Sequence, residues 1–296
     1  MRFLFFFFIL LITGTLQAQE GSPVKINAND NSLLWEVSGH GLSKPSYLFG
    51  TFHLLCRNDI VFSGTLKTIV GNASLLYMEL DMDDPMLMLG GLSLMNMKDG
   101  KKLKDLLTEA EYKRVDAYFR DSLKSSLEFL GSMKPMVLTS LIYPKLMACT
   151  PVTGVEDQLV KLAKEYKKEI RGLETMAFQS SVFDSIPYAE QAKELLKTID
   201  SLPKSKLLFD SMVLAYKSQN MQLIERMLTD DEYGMESNQD VLLYKRNQNW
   251  VEQLKVIMKT DAVFVAVGAG HLPGKDGLIG LLRKEGYTVR PLQNKE

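Results

Sequence analysis

Strand-like and helix-like sequence patterns are separated along this chain, and this separation constrains its fold more than any other feature. Apolar runs typical of buried strands occur near both ends, in residues 33–37, 47–49, 73–80, 261–267 and 287–292. Between the two groups, residues 85–220 carry apolar side chains every three or four positions, which predicts helices. We expect an α/β (α+β) fold whose central sheet is built from N- and C-terminal strands, with a large helical insertion at roughly residues 85–230.

The N-terminal segment MRFLFFFFILLITGTLQAQE is predicted to be a signal peptide covering residues 1–18. Arg2 precedes an apolar block, Phe3–Ile12, which is too short to span a bilayer comfortably, and a short polar stretch follows. Cleavage after Ala18 would leave residues 19–296 as one domain, secreted or periplasmic, without stable membrane insertion. An uncleaved N-terminal anchor is the alternative.

The charge and cysteine content argue against two classes of site. The chain has 35 basic and 36 acidic residues, so its balance gives no electrostatic case for binding nucleic acid. Its two cysteines, Cys56 and Cys149, are too few for a cysteine-rich zinc site, although they could form one disulfide in an oxidising compartment. The sequence does not show whether they lie close together.

Two of the three histidines occur in matching contexts. Both YLFGTFH, ending at His53, and FVAVGAGH, ending at His271, consist of an apolar strand, a glycine, two residues and a histidine. Each glycine is expected to let the chain turn at the strand end. Because ligands bind at the carboxyl ends of strands in α/β sheets, we expect both imidazoles to face one cleft.

Glu79 also follows an apolar run, and Asp81 lies two positions further on, where strand alternation would point it the same way. Two histidines and a carboxylate are a plausible three-ligand metal site with one position open for water. They could equally act as acid and base without a metal. Glu79 and Asp81 could instead simply cap the next helix.

The segment GAGHLPG does not fit a dinucleotide-binding loop. That loop needs G-x-G-x-x-G at the start of a helix, whereas Pro273 stands where the third glycine should be and Gly274 comes one position late. The chain also lacks the H-E-x-x-H motif of zincins and the G-x-S-x-G motif of serine hydrolases.

Taken in order, these segments resemble the TraB/GumN family, which includes the Tiki proteases of animals. The matching segments extend from Leu33 to Val289, and they are LLWEVSG, YLFGTFH, LLYMELD, GVEDQL, GLETMAFQ, YKRNQNW and VGAGHLPGKDGLIGLLRKEGYTV. The resemblance implies an erythromycin-esterase/Tiki-like fold. It also implies an active site formed by the two G-x-x-H motifs and a glutamate.

Carried over by position, the resemblance gives His53, His271 and Glu79 as catalytic residues and as ligands of a divalent ion, Mn, Co or Zn. Glu174 and Arg246 are further catalytic candidates, and an arginine there could hold a substrate carboxylate or stabilise an oxyanion. The implied activity is that of a metal-dependent hydrolase, a peptidase acting on a peptide or protein substrate. Glu79 could be an ion ligand or the general base. The alternative is a non-enzymatic protein that binds haem, a metal or a peptide.

Overall fold

A computed structural model describes residues 31–85, 91, 93–233 and 236–295. The predicted signal peptide lies outside these residues. The described strands are β1 Leu34–Ser38, β2 Ser46–Thr51, β3 Leu55–Cys56, β4 Leu75–Met78, β5 Val152–Thr153, β6 Ile170–Gly172, β7 Val263–Gly268 and β8 Thr288–Pro291.

Six of these strands form one mixed sheet in the order β6-β4-β7-β2-β1-β8. The four strands β6, β4, β7 and β2 are parallel neighbours, whereas β1 is antiparallel to both β2 and β8. The predicted α/β fold, with a sheet built from both ends of the chain, is therefore confirmed. The parallel half of the sheet places four carboxyl ends side by side at one edge.

Strand β7 lies in the centre of this parallel half, and its sequence explains that position. VFVAVG is apolar throughout, and its first five residues are buried. A parallel strand covered on both faces needs such a continuous run, because it has no solvent-facing side for polar residues. The strand therefore ends inside the protein, so the residues after it begin in a buried environment.

Helices surround the sheet and fill most of the chain between β4 and β7. The described α-helices are α1 Gly64–Asn72, α2 Glu109–Leu123, α3 Leu127–Leu130, α4 Pro135–Ser140, α5 Tyr143–Leu146, α6 Val155–Glu165, α7 Met176–Asp184, α8 Tyr188–Asp200, α9 Leu202–Ser218, α10 Met221–Leu228, α11 Lys245–Thr260 and α12 Leu278–Lys284. A π-helical turn, Asp240–Tyr244, leads into α11. Among the described residues, no helix combines the length and apolar character needed to cross a membrane.

The helical insertion has a hydrophobic core of its own. Helices α2, α4 and α8 contribute fully buried side chains such as Phe119, Leu138 and Leu195 to this core. Helix α2 begins at a capping box in which Thr108 and Glu111 each bond to the other's backbone N–H. This arrangement satisfies donors that the first helical turn would otherwise leave unpaired.

Strand β6 was not foreseen, because it lies within the segment expected to be helical. Its three residues pair in parallel with β4, with Leu76 opposite Ile170 and Met78 opposite Gly172. A strand this short carries too little periodicity to be separated from a loop by sequence alone. The insertion therefore returns to the sheet and adds its edge strand beside β4.

A second part of the insertion, the short strand β5, pairs with the segment that follows β2. The short strands β3 and β5 form an antiparallel ribbon, and a Cys56–Cys149 disulfide with a Cα–Cα distance of 5.8 Å lies beside it. The Arg57 N–H also donates to the Pro151 carbonyl oxygen at 3.1 Å. The structure thus pairs the two cysteines and fixes the chain just beyond His53.

We expect loss of this disulfide to lower the stability of the chain considerably. The bond closes a loop of 93 residues. A cross-link over a loop of that length stabilises the folded chain by about 4–5 kcal/mol in the chain-entropy treatment. The double variant Cys56→Ser/Cys149→Ser should therefore unfold at clearly lower urea concentration. The reduced wild-type chain is the matched control, and it should unfold at the same urea concentration as the variant. An unchanged unfolding midpoint on reduction would contradict this role.

Candidate active site

Four candidate side chains follow the carboxyl ends of four adjacent parallel strands. Glu174 follows β6, Glu79 follows β4, His271 follows β7 and His53 follows β2. The register places Thr51 opposite Gly268, so the two histidine segments leave the sheet at the same level. All four residues therefore begin at one edge of the sheet, as parallel strands require.

Glu79 and Glu174 are neighbours because the β4–β6 ladder continues past both strands. The Leu173 N–H donates to the Met78 carbonyl oxygen at 2.8 Å, and the Glu174 N–H donates to the backbone carbonyl oxygen of Glu79 at 3.0 Å. The Glu79 carboxylate extends toward β7, where its Oε1 accepts from the Gly268 N–H at 2.8 Å. Two carboxyl groups are thus held side by side at the buried edge.

Arg246, from the first turn of α11, lies between these two carboxyl groups. Its Nη2 donates to Glu79 Oε2 at 2.6 Å and to Glu174 Oε1 at 2.5 Å, and its Nε donates to Glu174 Oε2 at 3.1 Å. The Arg246 side chain is 7% exposed and that of Glu174 only 1%, so the pair is desolvated. A desolvated charge of this kind needs its partner, because an unpaired buried charge costs several kcal/mol.

The two carboxyl groups differ in acidity. Burial acts to raise the pKa of Glu79, but the surrounding His271, Arg246 and His53 and the Gly268 N–H outweigh it and lower that pKa to about 2. Because His271 is itself neutral near pH 7, the positive charges of Arg246 and His53 and the Gly268 N–H carry this effect. Burial and the adjacent Glu79 charge raise the pKa of Glu174, against the lowering effect of Arg246.

Gln179 bridges the two carboxyl groups from α7. Its Nε2 donates to Glu79 Oε2 at 3.3 Å and to Glu174 Oε1 at 3.2 Å. The next residue, Ser180, is fixed by the buried Lys134, whose Nζ donates to the serine Oγ at 2.6 Å. Lys134 also pairs with Asp184 at 2.8 Å, so one lysine anchors the helix that presents Gln179 to the site.

His271 is buried, and its tautomer is fixed by Asn247. The Asn247 Nδ2 donates to the Asp276 carbonyl oxygen at 2.9 Å, which turns its Oδ1 toward His271 Nδ1, 2.6 Å away. Nδ1 must therefore carry the ring proton, and Nε2 holds the lone pair. Nε2 lies 3.2 Å from Arg246 Nη1 and 3.7 Å from Glu79 Oε1. Burial lowers the pKa of His271 to about 3, so the ring is neutral near pH 7.

His53 contrasts with His271 in exposure and in charge. Its side chain is 80% exposed, and its Nδ1 lies 2.9 Å from Oε1 of Glu156, the second residue of α6. This carboxylate raises the pKa of His53 to about 9. The Val155 N–H donates to the Phe52 oxygen at 3.0 Å, so the backbone also holds the His53 segment against the start of α6.

The glycines of the two G-x-x-H segments do not act as the turn residues that the sequence suggested. Neither Gly50 nor Gly268 has a positive φ. A Cβ at Gly50 would lie 3.0 Å from the Leu272 side chain and 3.1 Å from the Ala269 backbone, and one at Gly268 would lie 3.3 Å from Glu79 Oε1. The glycines are needed for close approach: Gly50 to the turn that carries His271, and Gly268 to the Glu79 carboxylate.

The profile of the TraB/PrgY/gumN family matches residues 33–291, which is most of the chain. The chain belongs to the TraB/PrgY/gumN family. The match begins just before β1 and ends at the last residue of β8, so it covers the whole sheet.

Three animal relatives match most of the chain. Metalloprotease TIKI1 of Homo sapiens is 22% identical, covering 95% of this chain and 67% of its own length. Metalloprotease TIKI1 of Danio rerio is 21% identical, and the match covers 95% of this chain and 68% of the relative. Metalloprotease TIKI2 of Xenopus tropicalis is 22% identical, and the match covers 88% of this chain and 59% of the relative. This family member thus spans roughly three fifths to two thirds of those proteins. No solved structure matches the chain significantly.

Sequence reasoning missed three residues that hold the candidate side chains of this family member. Glu156 and Asn247 each lie at the Nδ1 atom of a histidine, and Gln179 joins the two carboxyl groups. All three lie within the segments GVEDQL, YKRNQNW and GLETMAFQ, which carried the resemblance. Asp81, in contrast, lies beyond the end of β4, where its carboxyl group neighbours Asp83.

Within the described residues, no group of three or more His, Cys, Asp or Glu side chains is spaced to hold a metal ion. The side chains of Glu79, Glu174 and His271 are instead each bonded to Arg246. A guanidinium has a positive charge and directional N–H donors, so it gathers these groups around itself at hydrogen-bond distances.

The neutral state of buried His271 predicts a pH dependence of folding. The folded ring titrates near pH 3 and the unfolded one near 6.5, so the unfolded chain binds more protons between these values. The stability that the neutral His271 ring contributes is therefore fully present above pH 6.5 and is lost as the pH falls toward 3. In urea unfolding with EDTA, we expect the wild type to lose up to about 1 kcal/mol per pH unit more than His271→Gln between pH 6 and 4. His40→Asn, at an exposed histidine, should keep the wild-type slope; equal slopes for all three proteins would contradict the assignment.

Proposed function

We propose that this chain is a secreted, metal-dependent hydrolase, and more narrowly a peptidase, whose active site is the carboxyl edge of the parallel strands. One observation carries the proposal: His53, Glu79 and His271 follow three adjacent parallel strands and so begin at one edge of the sheet. Relatives named metalloproteases, matched over most of this chain, support the same class of reaction.

The donor set fits a divalent ion in its chemistry. Metal-binding histidines usually place their second ring nitrogen against a carboxylate or another oxygen acceptor, which orients the ring. Both candidate histidines meet this condition, since His53 Nδ1 faces Glu156 Oε1 and His271 Nδ1 faces Asn247 Oδ1. Each ring therefore keeps Nε2 as its ligand atom. Two imidazoles and the Glu79 carboxylate suit Zn, Co or Mn.

The site residues have separable roles in this proposal. The chemistry that an ion supplies in such a site is polarisation of a carbonyl group and activation of water. His53, Glu79 and His271 would hold the ion, and the low pKa of Glu79 favours its role as a ligand, since so strong an acid is a weak base at neutral pH. Arg246 would provide N–H donors to a carboxylate or to a developing oxyanion of the substrate. Glu174 and Gln179 position these groups.

Secretion is the second part of the proposal. The predicted signal peptide, residues 1–18, directs the chain out of the cytoplasm, and the Cys56–Cys149 disulfide is of the kind that persists in oxidising compartments. The mature chain should begin at Gln19. Intact mass measurement of protein recovered from the periplasm or the medium checks this, and a chain that retains residues 1–18 would support the uncleaved anchor instead.

The peptidase proposal predicts loss of activity when any of the three ligands is removed. His53→Ala, His271→Ala and Glu79→Gln should each lower kcat/KM for hydrolysis of a peptide library at least about 100-fold, the scale expected for loss of a group that acts in the chemical step. EDTA should abolish hydrolysis, and Mn²⁺, Co²⁺ or Zn²⁺ should restore it. His40→Ala is the matched control. Full activity in both site-histidine variants would overturn the site assignment.

A haem titration separates the enzyme from the alternative of a non-enzymatic binding protein. Exposed His53 would be the iron ligand in that case, and a Soret shift that is lost in His53→Ala would favour it. We expect no such shift, together with ion-dependent hydrolysis by the same preparation.

A further inference from the structure

Arg246 uses every hydrogen-bond donor that it has. A guanidinium carries five N–H groups. Nε and both Nη2 hydrogens are directed at Glu79 and Glu174, and the two Nη1 hydrogens are directed at the Leu242 carbonyl oxygen, 2.9 Å away, and at His271 Nε2, 3.2 Å away. The side chain is thus fully satisfied by groups of this chain, and two of those groups, Glu79 and His271, are proposed ion ligands.

The bond to His271 cannot coexist with ion binding at that ring. His271 Nδ1–H donates to Asn247 Oδ1, whose orientation is fixed by the Asp276 carbonyl oxygen. The neutral ring therefore has one lone pair, at Nε2. That lone pair accepts from Arg246 Nη1 and is the same one that an ion would need. Charge adds to the conflict, because the guanidinium and a divalent ion repel each other in a buried site.

We propose that Arg246 is a built-in cation that occupies the ligand side chains of the ion-free enzyme and must release His271 before an ion can bind there. This inference rests on the proposed function. Release does not require Arg246 to leave the site, because its two bonds to Glu174 and its bond to the Leu242 oxygen need not change. The freed Nη1–H would then be available to donate to a substrate oxygen.

Two features of α11 and the turn before it lie beside the Arg246–His271 bond. Leu242 belongs to the π-helical turn that precedes α11, and single π-helical turns of this kind are frequent at functional sites. Trp250 lies one turn further along α11, with its ring 4.7 Å from Arg246 Cζ and 4.5 Å from the His271 ring. The indole therefore contacts both partners of the bond that must break.

Direct ion binding to the Arg246→Lys variant tests the proposal. Lysine keeps a positive charge for Glu174 but lacks the fork that reaches His271 and the Leu242 oxygen at the same time. By calorimetry on EDTA-stripped protein, we expect R246K to bind Zn²⁺, Co²⁺ or Mn²⁺ about tenfold more tightly than the wild type, the scale of one charged hydrogen bond. Arg120→Lys, at an exposed arginine of α2, should bind with wild-type affinity. Equal or weaker binding by R246K overturns the proposal.

A second measurement on the wild type keeps the test valid if R246K does not fold. In protein with ¹⁵N-labelled arginine and histidine, the His271 Nε2 and Arg246 Nη1 resonances should change together as Zn²⁺ is added. A shift of His271 Nε2 with unchanged Arg246 signals overturns the proposal but leaves the proposed function intact. An absence of ion binding in wild type, R246K and H271Q alike overturns both. Emission from Trp250, absent in Trp250→Phe, should follow the same titration.

Discussion

The pairing of Arg246 with Glu79 and Glu174 is the interaction on which the rest of the site depends. Two carboxyl groups at a buried sheet edge would repel each other, and each would lose hydration without compensation. One guanidinium resolves both problems, because it donates to both carboxyl groups that the β4–β6 ladder has placed side by side. Because Arg246 comes from α11, the same pairing places that helix over the sheet edge, and with it Asn247 and Trp250, which surround His271.

Sequence patterns could predict the sheet and the two histidine segments because both depend on local features. A continuous apolar run predicts a buried strand such as β7, and the repeated strand-Gly-x-x-His arrangement indicates equivalent positions on parallel strands. The partners of these residues depend on long-range packing. Glu156 approaches His53 across a separation of about one hundred residues, and it is brought there by the β3–β5 ribbon and the disulfide. Neither feature leaves a periodic signal at Glu156 itself.

The glycines show how a correct motif can carry an incorrect physical reason. A strand followed by glycine suggests a sharp turn, yet Gly50 and Gly268 both have conformations open to other residues. Their missing Cβ atoms matter because neighbouring groups fill that space: a leucine side chain and the Ala269 backbone at Gly50, and the Glu79 carboxylate at Gly268. Such contacts become visible only when strands are paired, since Gly268 meets Glu79 from an element that lies almost two hundred residues earlier in the chain.

The two histidines of the site are built for different conditions. His271 is buried, neutral and bonded at both ring nitrogens, so its position is fixed before anything binds. His53 is exposed and, with its pKa near 9, protonated at neutral pH, so it must lose a proton before it can bind a metal. His271 Nε2 is occupied by an N–H of the cationic Arg246, and His53 Nε2 carries a proton. In both rings, the oxygen that orients the ring lies at Nδ1. In the proposed enzyme, an ion that enters this site would therefore compete with positive charge at each imidazole, and its affinity would depend on pH through His53 and on the position of Arg246 through His271.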